Sequence, residues 1–328
     1  LQALRPSRAD EQGLSLPYSP SSATLPPPSG SLTGCVWNVM AAMMEQLQRA
    51  VEPVLESTFT KRRRQDFLAS AGPTLLCLTF VEDALRVLMR WSEQMQFMTK
   101  TMKRGWFIAV LLLLISMLTQ FAGSVMILRP SHYKPSRVKL GCYLLLSFVF
   151  IQPFMYGQAT DMDFMCRSIT LAGGLLLLIW SENDRQQRTE DIGLPQAMEG
   201  AGADKLQLSG RLLLCSLFFF QAMYSENGGL HSLFTKPSVF TFISFVTLLG
   251  LSALVCLGFK TEWSSLLLAV ILFLSNIYMY PFWMVRAGLK DFYRYYFFQT
   301  LSIIGGLMLL ALHGPGGISL DKGMKKAI

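Results

Sequence analysis

The chain has 328 residues, 52% of them hydrophobic and only 15% charged, with a mean hydropathy of +0.38. Soluble domains run near a quarter charged, so this composition excludes a disordered tail protein, a coiled coil and a nucleic-acid-binding domain. The formal net charge of +8 sits in short clusters beside apolar blocks, a pattern that orients a membrane protein and is weak evidence for an acidic partner.

In chain order, residues 1–60 come first and differ from the rest. Pro17, Pro20, Pro26, Pro27, Pro28 and many serines make a low-complexity segment that cannot bury a core. It reads as a disordered cytosolic tail, with one short amphipathic helix around Met40–Leu55. No apolar run with a cleavage site precedes residue 60, so no removable signal peptide is expected. From residue 61 onward, a bilayer core needs about 20 apolar residues per helix. Spans are predicted at 67–88, 106–128, 138–158, 164–180, 208–224, 237–258, 262–285 and 296–312. The runs are unbroken rather than alternating, so no strands are expected. The fold class is an all-α polytopic membrane protein of about eight transmembrane helices, with the helical domain at 61–313 and a cytosolic tail at 314–328.

The two halves resemble each other. Gly72-x-x-Leu75-Leu76-Cys77 in the first span returns as Gly210-x-x-Leu213-Leu214-Cys215 in the fifth. Ser147 and Pro153-Phe154 return as Ser275 and Pro281-Phe282, and Gly173-Gly174-Leu175 as Gly305-Gly306-Leu307. Three matches in one order indicate a four-plus-four parallel repeat. An even number of spans puts both chain ends on one side. Lys61, Arg62, Arg63, Arg64, Arg129, Lys134, Arg137 and Lys139 make that side cytosolic, although Lys100, Lys103 and Arg104 fall on the other.

Few motifs carry chemistry. Lys325 and Lys326 stand four and three residues from the carboxyl end, the spacing of the dilysine retrieval signal of endoplasmic-reticulum membrane proteins. Glu82, Asp83 and Arg86 share a helix face within the first span. They are either an internally neutralised structural cluster or a binding mouth with one carboxylate left over. Pro153 and Pro281 are expected to kink their helices near one end. Phe154, Tyr156, Tyr278, Tyr280 and Trp283 around them form either an interfacial belt or a kinked aromatic pocket. Asp161 and Asp163 lie in the tightest loop at that end. Arg167 and Arg211 begin short spans and are expected to snorkel. Five of the six cysteines lie inside apolar runs, where a thiol behaves as a small hydrophobe. No catalytic constellation, metal site or cofactor motif is expected.

Further residues carry a family resemblance. They are Thr79-Phe80-x-Glu82-Asp83-x-x-Arg86, Trp91-Ser92-Glu93-Gln94, Leu171-x-Gly173-Gly174-Leu175-Leu176-Leu177-Leu178, Gly258-Phe259-Lys260-Thr261 and Asp291-Phe292. The most specific is Phe297-Phe298-Gln299-Thr300-x-Ser302-x-Ile304-Gly305-Gly306-Leu307, followed by Gly314-Pro315-Gly316-Gly317 and the two lysines. Over residues 67–328 the chain resembles the surfeit locus protein four family. The resemblance implies a multispanning protein of the endoplasmic-reticulum membrane that cycles through the intermediate compartment and Golgi. It implies that soluble secretory cargo is bound in the lumen and loaded into COPII vesicles, with return by COPI. It further implies that cargo is read by a hydrophobic-Pro-hydrophobic signal at its new N-terminus. Tyr296, where the family pattern has an acidic residue, and Ala172, within a run of glycines, depart from it.

The expected cargo site combines Glu82, Asp83, Arg86, Asp161, Asp163, Pro153, Phe154, Tyr278, Tyr280 and Pro281. Carboxylates suit a positive α-amino group, and an aromatic groove suits the apolar residues beside a proline. The expected partners are cargo, the two coats and the lipid bilayer, with no nucleic acid and no enzymatic activity. The alternative is a secondary transporter of a small solute, suggested by the repeat and the intramembrane charges. A membrane redox protein resembling the DoxX-like group would need a quinone, haem or thiol pair that these residues do not supply.

Overall fold

The computed structural model describes residues 42–46, 48–53, 60–129, 135–190, 200–224 and 239–319. Among the described residues eight long helices occur in order: α1 (Lys61–Met89), α2 (Trp106–Leu128), α3 (Pro135–Met155), α4 (Met162–Glu190), α5 (Gly200–Tyr224), α6 (Val239–Leu257), α7 (Thr261–Met279) and α8 (Ala287–His313). Seven are long and apolar enough to cross a bilayer, and α6 contributes the shorter apolar stretch Phe242–Leu257. No strand occurs among the described residues. The chain is an all-α polytopic membrane protein, because only helices and closed barrels satisfy the backbone in hydrocarbon. Between α1 and α2 a short helix, Trp91–Gln96, runs into a π-helical turn at Phe97–Thr101. Of the amphipathic helix expected around Met40–Leu55, residues 42–46 and 48–53 are helical.

Helix ends depart from the predicted spans in both directions: α3 and α7 stop early, at Met155 and Met279, and other helices run longer. Hydropathy marks only the apolar stretch, whereas α1, α4, α5 and α8 continue through charged residues. Thus α8 begins at Ala287 and carries Lys290, Asp291 and Arg294 in its first turns. The prolines correct a second expectation. Pro153 lies in the last turn of α3. Pro281 lies beyond α7, in a turn where the Met284 N–H donates to its carbonyl at 2.9 Å. Pro153 thus stands near the end of its helix as expected, and Pro281 alone departs from the expectation, lying outside α7.

The repeat is visible as packing. The two tightest helix pairs are α1 with α8 and α4 with α5. In the first, a Cβ on Gly305 would stand 2.5 Å from the Leu76 nitrogen and 2.6 Å from the Gly72 oxygen. In the second, a Cβ on Gly173 would stand 2.5 Å from the Leu214 nitrogen and 2.7 Å from the Gly210 oxygen. Only glycine lets the backbones approach so closely, the usual device of helix contacts in lipid. The polar contacts repeat too. Ser302 Oγ accepts the Thr79 N–H at 3.1 Å, and Thr170 Oγ1 accepts the Leu217 N–H at 3.1 Å. Gly174 and Gly306 meet between the halves, where a Cβ on Gly174 would be 3.5 Å from the Gly306 Cα.

α1 and α8 run antiparallel, since Gly72 meets Gly305 while Glu82 meets Arg294. Residue 61 and residue 313 are therefore at the same end of the bundle. At that end Arg64 pairs with Glu262 and lies 5.6 Å from the Trp263 ring, joining α1 to α7. α1, α2, α3, α4 and α8 surround a core of Leu76, Phe80, Leu113, Leu145, Leu171 and Leu175.

Candidate functional site

The end of the bundle away from residues 61 and 313 gathers most of the predicted site. Asp83 is 1% exposed and pairs with Arg86, three residues along α1. Glu82 is 8% exposed and faces Arg294 of α8 at 2.7 Å. One turn further, Arg90 pairs with Asp291. Three ion pairs thus lie along the α1–α8 contact, two of them between the helices. Taking a charge out of water is costly, so such residues in membrane helices are paired and face inward. Glu82 and Asp83 each face a guanidinium, while Asp83 Oδ2 is buried without a hydrogen-bond partner.

Beside it is a cavity of about 270 Å³, bounded by α1, α3, α4, α8 and the Trp91–Thr101 connection. Its walls are aromatic. Phe164 stacks on Tyr295 with centroids 6.4 Å apart, and Phe292 packs against Tyr296 at 4.5 Å. Tyr156 and Phe97 face each other at 6.2 Å across the connection. Burial pushes the Tyr156 phenol well above its ordinary range, so it remains protonated and can donate. The polar groups are Arg86, whose guanidinium lies 5.2 Å from the Tyr295 ring, with Gln94, Gln152, Gln158 and Asp161. Asp161 is exposed and sits just before α4. Its Oδ1 accepts the N–H groups of Asp163 and Phe164 at 3.1 and 3.3 Å, which fixes the carboxylate at the helix start. It is the only carboxylate lining this cavity among the described residues.

Asp163 is spent differently. Its Oδ2 accepts from Arg167 Nε at 2.8 Å, and Arg167 Nη2 donates to the Tyr280 hydroxyl at 3.0 Å. The guanidinium lies 4.7 Å from the Tyr296 ring, and Tyr296 stacks on Tyr280 at 5.6 Å. Arg167 is 3% exposed and bound rather than snorkelling. Arg211, 1% exposed at the other end, is likewise held, by the carbonyls of Pro315 and Ile318.

The sequence profile described as the SURF4 family matches residues 45–327. The chain belongs to the SURF4 family. The Surfeit locus protein 4 homolog of Drosophila melanogaster is 33% identical over 267 residues, covering 81% of this chain and 93% of that protein. The Surfeit locus protein 4 homolog of Schizosaccharomyces pombe is 31% identical over 261 residues, covering 79% and 82%. The ER-derived vesicles protein ERV29 of Saccharomyces cerevisiae is 29% identical over 266 residues, covering 79% and 77%. No solved structure matches significantly.

Several residues that carried the SURF4 resemblance meet at the α1–α8 contact: Thr79, Glu82, Ser302 and Gly305 touch across it, and Asp291 pairs with Arg90 just beyond α1. Tyr296, the departure from the family pattern, lines the cavity. Of the other expected site residues, Pro153 is buried and Phe154 is 67% exposed on the outside of the bundle. Tyr278 is 87% exposed, and Pro281 and Tyr280 are half-buried, Tyr280 beside Arg167 rather than in the cavity lining. Lys325 and Lys326 lie outside the described residues. The sequence reading missed Arg294, Tyr295 and Gln152. The signal for the first two was available, since residues 287–295 continue α8 at helical spacing, but their charges placed them before the predicted span.

Proposed function

We propose that this chain is a cargo receptor of the early secretory pathway, binding the new N-terminus of soluble secretory proteins in the aromatic cavity. Membership of the SURF4 family and a yeast relative named for ER-derived vesicles support the trafficking role. The observation that carries the binding mode is the pairing of an aromatic cavity with one exposed carboxylate, Asp161. At about 270 Å³ the cavity falls just below the roughly 300–1,000 Å³ of small-molecule sites, so it suits a chain end rather than a folded surface. Asp161 receives the α-amino group, and the rings of Phe164, Phe292, Tyr295 and Tyr296 receive the apolar side chains and proline that follow. Glu82 acts behind the site by holding α1 to α8, and Asp83 by holding Arg86, which lines the cavity.

The luminal side is the one bearing the cavity, and the lysine-bearing tail is cytosolic. Outbound movement uses COPII or its adaptors, and retrieval uses COPI reading Lys325 and Lys326. Exchanging Asp161 for Asn tests the reading: secretion of dependent cargo should slow while the receptor's abundance and location stay normal. Unchanged export would remove Asp161 from the site. A second reading, a secondary transporter, is favoured by one feature: a further cavity borders α1, α4 and α8 near their other ends. Tyr296 and Leu309, which line the two, are about 20 Å apart at 1.5 Å per helical residue. Substrate flux in reconstituted vesicles would support it.

A further inference from the structure

That second cavity encloses about 840 Å³ at the end where residues 61 and 313 lie, bordered by α1, the end of α2, the start of α3 and the ends of α4 and α8. Leu178, Leu309 and Leu312 supply apolar wall, and Trp180 stands edge-on to His313 at 5.4 Å. The charged residues lining it are Asp66, Glu182 and Asp184 against Arg129 and Arg185, an excess of one carboxylate. Asp66 is exposed toward it from α1.

The internal repeat reveals what such a space accommodates. The correspondence that brings Gly72 onto Gly210 brings Asp66, Ala69 and Pro73 of α1 onto Asp204, Gln207 and Arg211 of α5. In the second half those three residues hold a stretch of main chain. α8 ends at Gly314, whose φ of 74° suits glycine, and the chain then crosses α5. Gln207 Nε2 donates to the Gly314 carbonyl at 3.0 Å, and Arg211 donates to the carbonyls of Pro315 and Ile318 at 2.6 and 2.9 Å. Asp204 Oδ1 accepts the Gly317 N–H at 3.0 Å. Gly258, after α6, closes the seat: a Cβ there would come 2.7 Å from Arg211 and 2.8 Å from Ser319. In the first half α4 instead continues as helix to Glu190. The long polar side chains are replaced by Ala69 and Pro73, leaving room, while the aspartate stays.

We propose that the first-half cavity is a docking groove for an extended peptide of a partner protein on the side of the membrane where residues 61 and 313 lie. The peptide lies as Gly314–Ser319 lies in the second half, with small residues at the crossing. Asp66 takes a backbone N–H, as Asp204 does. The excess carboxylate calls for one basic side chain, because Pro73 stands where the second half has Arg211. The inference does not depend on the cargo reading, which concerns the opposite end.

The test uses the full chain in nanodiscs and a blocked peptide of sequence Gly-Pro-Gly-Gly-Ile-Ser-Lys, with a photoreactive diazirine in place of the isoleucine side chain. Labelled segments are mapped by mass spectrometry. Saturable labelling within residues 66–74 or 178–185 is expected. It should be lost in Ala69→Trp, which fills the groove, and weakened about fivefold in Asp66→Asn, the size of one partly exposed hydrogen bond from a main-chain N–H. Asp66→Asn alters no packing, so it decides the matter if Ala69→Trp fails to fold. Labelling confined to α5 would mean exchange with the bound segment and would overturn the proposal. So would phospholipid that the peptide cannot displace. Labelling that rises when residues 320–328 are deleted would assign the groove to this chain's own tail, and would overturn a partner's claim to it.

Discussion

Arg294→Gln removes one side of the ion pair that joins α1 to α8 beside the aromatic cavity. Glu82 is 8% exposed, and its carboxylate meets the Arg294 guanidinium at 2.7 Å. Leaving a buried charge without its partner costs about 3–5 kcal/mol. The Arg294 side chain is 27% exposed, so water reaches the pair, and about 3 kcal/mol, the lower end of that range, is expected. At about 2 °C per kcal/mol for a chain of this length, this lowers the midpoint of thermal unfolding by roughly 6 °C. The double variant Glu82→Gln with Arg294→Gln removes both charges and should recover most of the loss, because neutral partners of similar shape cost little. Tryptophan fluorescence of the detergent-purified protein reads the midpoints. Equal losses in the single and double variants would refute the reasoning, as would no loss in either. Glu82→Gln that left stability intact while abolishing cargo export would return Glu82 to the binding site.

Alanine at Gly173 or Gly305 places a Cβ 2.5 Å from a backbone nitrogen of the neighbouring helix, beyond what overpacking of a flexible core, about 1–3 kcal/mol, can absorb. Both variants should yield mostly aggregated protein by size-exclusion chromatography, to similar extents because the sites are equivalent; a normal profile for one alone would break the repeat. Replacing Lys325 and Lys326 with Ser should move the steady-state location from the endoplasmic reticulum toward the Golgi, read by immunofluorescence, and an unchanged reticular pattern would exclude the tail as a retrieval signal.

Helix number and repeat were legible because long apolar runs and glycine spacing act locally. Gly72, Gly173, Gly210 and Gly305 were readable as positions matched between the halves, and they are where the two close contacts form. Helix lengths were less legible, since residues such as Arg294 continue a helix only because Glu82, 212 positions away, is there to meet them. The cluster Glu82-Asp83-Arg86 was readable as charge within a span. Its balance was not, for the second guanidinium comes from α8. The aromatic cavity was hidden for the same reason. Phe164, Phe292, Tyr295 and Tyr296 converge only when α4 and α8 pack at the centre, whereas Phe154 and Tyr278, noticed because they flank prolines, point outward.

Cargo contact with the cavity is tested most directly by a photo-crosslinking amino acid at Phe292, a lining residue 55% exposed, compared with one at Tyr278, 87% exposed and outside the lining. In cells secreting a dependent cargo, the Phe292 position should capture that cargo through its N-terminal residues, and the Tyr278 position should not. Capture of folded cargo regions equally from both positions, or of lipid alone from Phe292, would contradict recognition of a cargo N-terminus in this cavity.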